Sequence, residues 1–164
     1  MDCLANLYNE YESDMEEGNW EKYLNKHPER WDEIRYGICS YTPWVWSVKG
    51  TIELFQSLGW DLNQIIDYPM EEEKGTALEW AGEWHYIEIF RMFLEFGANP
   101  NQKGYSMLPL TSILYGHNPS YSADRGSIIE FIKLLHEFGC HLQIDEEHIS
   151  EFSSIQIELN KVKK

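Results

Sequence analysis

Three glycines, Gly59, Gly97 and Gly139, each follow an apolar run and precede a turn containing Asp, Asn or His. The runs are Ile52-Glu53-Leu54-Phe55-Gln56-Ser57-Leu58, then Ile87, Ile89, Phe90, Phe93 and Leu94, then Ile128-Ile129-Glu130-Phe131-Ile132-Lys133-Leu134-Leu135. Leucine and phenylalanine ahead of a glycine predict a helix that ends at its C′ position, where glycine adopts a left-handed backbone at little steric cost. One such glycine is common in any helical protein. Three with matched surroundings predict a chain built from successive helical units, none of which buries its apolar face alone.

Each close has a matching opening. The central unit begins Thr76-Ala77-Leu78-Glu79-Trp80-Ala81 and passes through the polar turn Glu83-Trp84-His85 to its second helix and to Gly97-Ala98-Asn99-Pro100-Asn101. Upstream the opening is Thr42-Pro43-Trp44-Val45-Trp46-Ser47, and downstream it is Leu108-Pro109-Leu110-Thr111-Ser112-Ile113. The interval to the closing glycine is 16 residues from Ala81 to Gly97, 12 from Ser47 to Gly59 and 26 from Ile113 to Gly139. The first unit is therefore short around Val48-Lys49-Gly50. The third carries an insertion, residues 114–126, whose Gly, Pro, Asn and Ser content predicts a loop. Residues 76–101 resemble an ankyrin repeat, whose opening is T-P-L-H-x-A and whose unit is a β-turn with two helices. The resemblance covers roughly residues 38–143. It implies an all-α, ankyrin-like helical repeat solenoid of about three irregular repeats in a single domain over residues 1–164.

Residues 1–37 and 144–164 are then expected as helical end caps, because terminal repeats need a polar outer face. Trp20, Tyr23, Leu24, Trp31, Ile34 and Tyr36 supply an apolar stripe for two short helices broken at His27-Pro28, while Ile149, Phe152, Ile155, Ile157 and Leu159 supply one for a closing helix before the basic tail. Cys3, Cys39 and Cys140 are an odd number, widely separated, and the start lacks the pattern of a signal peptide, so a cytoplasmic, reducing location is expected. No apolar run reaches the roughly 20 residues of a membrane span. His136, Cys140, His141 and His148 match no ligand spacing, and neither metal nor cofactor is expected.

The formal net charge is −15. It argues against direct contact with nucleic acid, which needs Lys and Arg for its phosphates, and against anionic membranes. It either steers a basic protein partner to the encounter or serves solubility.

In ankyrin-type proteins the partner lies against the β-turn fingers and the exposed side of each first helix. Carried over by position, the resemblance implies contact through Glu72 and Glu73 of the central finger, Glu83 and Trp84 at its first-helix end, Tyr105 of the next finger and Tyr115 at the next helix end. Trp46 and Trp80 stand at the variable motif position, either facing a partner or filling space between helices. Tyr121 and Asp124 lie in the insertion, a frequent binding element of such arrays. A run such as Glu71-Glu72-Glu73 is more often a solvated turn than a contact, whereas Trp84 belongs to a residue type enriched at interface hot spots.

The residues carry no G-x-S-x-G, phosphate loop, H-E-x-x-H or paired C-x-x-C. Glu79, Glu83 and His85 cluster, but Glu79 replaces the motif histidine that hydrogen-bonds the finger backbone, so a structural duty is expected and no enzyme. A small acidic ankyrin protein is similar to immunity proteins that neutralise basic bacterial toxins, often nucleases. That similarity implies a stoichiometric inhibitor, covering an active site or an exosite. A general adaptor or scaffold subunit recruiting a client is the alternative.

Overall fold

The computed structural model describes residues 25–32, 35, 48–68, 73–116 and 127–162. Through them the chain is mostly helical: α1 (Val48–Ser57), α2 (Ala77–Glu83), α3 (Ile87–Glu95), α4 (Pro109–Tyr115), α5 (Ile128–Glu137) and α6 (Ser153–Val162). Short 3-10 turns lie at Pro28–Arg30 and Glu146–His148. Two strands depart from a purely helical expectation. β1 (Ile66–Tyr68) and β2 (Glu73–Gly75) pair antiparallel, with Ile66 opposite Gly75 and Asp67 opposite Lys74, between α1 and α2. Strands of three residues leave no periodicity to read in a sequence.

Helix starts and stops follow local chemistry. Thr76 caps α2 and Ser127 caps α5, each in a reciprocal box with the glutamate three residues on, Glu79 and Glu130. α1, α3 and α5 end alike. Gly59, Gly97 and Gly139 have φ of +99°, +97° and +74°. Each glycine N–H donates to the carbonyl three residues back, and the next N–H to the carbonyl five back, as from Gly97 to Leu94 and Ala98 to Phe93.

The core runs between these helices. Phe55, Phe90, Phe93 and Phe131 are fully buried. Trp60 meets Phe55 and Phe93 edge-on at 6.2 and 5.9 Å, and Phe90 meets Phe131 at 5.2 Å, so aromatic contact passes from α1 through α3 to α5. On the other side α2 packs on both α3 and α4. The approach of α2 to α4 is close enough that a Cβ on Gly82 would come within 2.8 Å of the Ser112 hydroxyl.

Bridges between successive turns repeat. Asn63, four residues past Gly59, accepts from the Asn99 N–H at 2.8 Å and its amide lies 3.5 Å from the Gly97 carbonyl. Asn101, four residues past Gly97, accepts from the His141 N–H at 2.7 Å and donates to the Gly139 carbonyl at 3.1 Å.

At the amino-terminal side, Trp31 stacks on Phe55 at 5.2 Å, whereas Trp20, Tyr23, Leu24, Ile34 and Tyr36 lie outside the described residues. At the other end, Phe152, Ile155 and Leu159 pack on the core, but Ile149 and Ile157 are 38% and 57% exposed. Ile155 and Leu159 are one helical turn apart, while Ile157 falls on the opposite side, so the apolar face of α6 is narrower than its composition suggests.

Candidate functional site

Glu79 organises the surface beside α2. Its carboxylate is 5% exposed and accepts from the N–H groups of Thr76, Tyr105, Ser106 and Met107 and from the Ser106 hydroxyl, at 2.8 to 3.1 Å. Both oxygens are saturated, as a buried carboxylate requires. The loop at residues 104–107 is closed by the Gly104 N–H on the Met107 carbonyl at 2.8 Å. Gly104 has to be glycine here, because a Cβ would overlap the Glu79 carboxylate.

One unit on, Thr111 stands where Glu79 stands in the aligned openings. Its hydroxyl oxygen accepts from the Asp145 N–H at 3.0 Å, and the Asp145 carboxylate accepts in turn from the Leu108 N–H at 2.7 Å and the Lys103 ammonium at 2.9 Å. Burial pushes the Asp145 carboxyl up, but the bonds from Leu108, Lys103 and Thr111 together outweigh it and hold the group below its ordinary value. Lys103, bonded to Asp145 and Glu147, is held above its own.

Between the 104–107 loop and the helices lies a cleft of about 260 Å³. Trp80, Glu83 and Ser112 line it from α2 and α4, and Lys74, Tyr105, Ser106 and Met107 from β2 and the loop. Tyr105 is 61% exposed and Trp80 is buried, its indole lying against Gly75. The Lys74 ammonium sits 2.7 Å from Asp67, which raises its pKa, and 6.0 Å from the Tyr105 ring centroid.

The expected contact residues separate accordingly. Glu83, Trp80 and Tyr105 come together in the cleft. Of the two readings open for Trp80, its burial matches the space-filling one, although one side still lines the cleft. Trp84 caps α2 and is half-buried; its Nε1 is shut off from solvent with no hydrogen-bond partner among the described residues, so the polar atom of the indole is not offered outward. Glu73 begins β2 opposite Tyr68. Tyr115 closes α4, at the helix end expected for it although the loop expected over residues 114–126 also took it in, and its ring meets His148 and Phe152 at 4.9 Å each, away from the cleft. Its hydroxyl donates to Glu151, which, with burial, pushes it up to about 12. Glu72, Trp46, Tyr121 and Asp124 lie outside the described residues. Sequence reasoning missed Thr111 and Asp145, though the alignment of Leu110-Thr111 with Leu78-Glu79 carries the signal.

The third member of the Glu79, Glu83, His85 cluster turns inward. His85 is buried at φ 58°, and its Nε2 donates to the Ile113 carbonyl at 2.7 Å, fastening the α2–α3 turn to α4. Glu79, which also borders the cleft, and His85 thus each spend their polar atoms on backbone. Among the described residues, no three His, Cys, Asp or Glu side chains are placed to hold a metal ion, and no helix is long and apolar enough to cross a membrane. No family model, curated protein or solved structure matches this chain.

Proposed function

We propose that this chain is an ankyrin-like binding module that neutralises a basic protein by stoichiometric association, as an immunity protein does for a toxin domain such as a nuclease. The observation that carries this reading is the cleft: Glu83, Trp80 and Tyr105 meet between a finger-like loop and a first helix on a chain of net charge −15. The repeat reading draws support from two recurrences at matched positions. Glu79 and Thr111 each anchor the following loop, and Asn63 and Asn101 each bridge to the following turn. Acidic and aromatic side chains on a preformed surface suit a partner rich in Arg and Lys, and charge complementarity acts chiefly on encounter rate and specificity.

The test is capture of partners from the organism's own proteins on the immobilised chain, followed by assay of the captured protein's activity. A basic partner whose activity falls to zero at one equivalent supports neutralisation. A captured partner that stays active points instead to the adaptor reading. Charge reversal of Glu72, Glu73 and Glu83 together should weaken the complex and flatten its salt dependence. Unchanged affinity in that triple variant would remove the acidic face from the interaction.

A further inference from the structure

We infer that the cleft beside Glu79 is an anchor site for one arginine side chain of the partner, an inference that rests on the protein-binding reading above. Size is the first reason. At about 260 Å³ the cleft falls below the roughly 300–1,000 Å³ of small-molecule sites, yet it accommodates a single long side chain.

Hydrogen-bonding capacity is the second. The Ser106 hydroxyl already donates to Glu79 at 2.8 Å, and the Ser112 hydroxyl donates to the Pro109 carbonyl at 2.8 Å. Both protons are committed, so each hydroxyl presents acceptor lone pairs to the cleft. A guest matched to these two hydroxyls carries donors, which guanidinium supplies in a planar fork.

Charge and shape agree. Two carboxylates, Glu79 and Glu83, line the cleft together with one ammonium, Lys74, which Asp67 outside the lining answers at 2.7 Å. Tyr105, beside the buried Trp80, supplies exposed aromatic surface on which a planar cation stacks better than a compact, strongly hydrated ammonium. Arginine is therefore favoured over lysine as well as over neutral side chains.

The probe is N-acetyl-arginine amide, titrated into the full ¹⁵N-labelled chain beside its neutral isostere N-acetyl-citrulline amide and N-acetyl-lysine amide. The expected result is saturable movement of the Trp80 indole N–H and the Tyr105 and Ser106 amide signals, with the arginine compound binding about tenfold tighter than citrulline and the Trp60 indole unmoved. Tyr105→Ala keeps the N–H that Glu79 accepts, so the loop stays anchored, and should weaken arginine binding several-fold; Glu83→Gln should do the same. Equal shifts with citrulline, shifts that do not saturate, or shifts centred away from Trp80 would overturn the assignment. If the probe fails while a basic partner is still captured and inactivated, the cleft assignment falls and the neutralisation reading stands. If the probe binds while the captured protein stays active, the reverse holds.

Discussion

Glu79 shows what one residue does for this surface. Its carboxylate answers four backbone N–H groups, three of them in the 104–107 loop, and one hydroxyl. Truncation strands the buried Thr76 N–H and the part-buried donors of the loop, and an unsatisfied buried donor costs about 1–3 kcal/mol. We expect Glu79→Ala to lose at least about 3 kcal/mol in urea unfolding. Glu79→Gln should lose less, because an amide keeps one acceptor while turning its NH₂ against the other donors. A loss under about 1 kcal/mol in the alanine variant would mean that the loop is held by something else. Asp145 makes a pH prediction. Its folded value lies below the ordinary 3.8, so its stabilisation is complete above that value and disappears as pH falls through the folded one. Stability measured from pH 6 to pH 2.5 should therefore fall more steeply in the parent than in Asp145→Asn below about pH 4.

At the scale of elements, three helix ends and two asparagine bridges recur along the chain. Gly97 has φ +97°, and an added methyl meets nothing within 4 Å, so the penalty in Gly97→Ala is conformational alone, about 1–2 kcal/mol by thermal or urea unfolding. Asn101→Ala removes two bonds to the His141 N–H and the Gly139 carbonyl and should cost about 1–3 kcal/mol. A neutral Asn101→Ala would show that the turn is set by its own glycine. The helix ends were legible because apolar period and a stopping glycine are local signals. Thr111 was legible only through its alignment with Glu79, and Asp145 was not legible at all, since their bond joins residues 34 apart. Trp80 was ambiguous for another reason: its motif position is half-facing, and its depth depends on a glycine at position 75, where a Cβ would come within 2.8 Å of the indole Nε1.

In the whole molecule, burial is uneven. The fully buried phenylalanines lie on α1, α3 and α5, whereas α6 touches the core through Ile155 and Leu159 and leaves Ile157 exposed. Amide hydrogen exchange should accordingly be slowest in α2–α5 and faster by orders of magnitude in α6, measured by mass spectrometry on the full chain. Uniform protection across both would contradict this gradient. One further property follows from how Glu79 grips its loop. Except for the Ser106 hydroxyl, every bond it receives there comes from main chain, which is the same whatever side chain is attached. Tyr105 and Met107 are thus letters on a fixed frame, free to be exchanged in descent without reshaping it. On the binding reading proposed above, a lineage of such chains could change what it recognises by drift at these two positions while inheriting the scaffold intact.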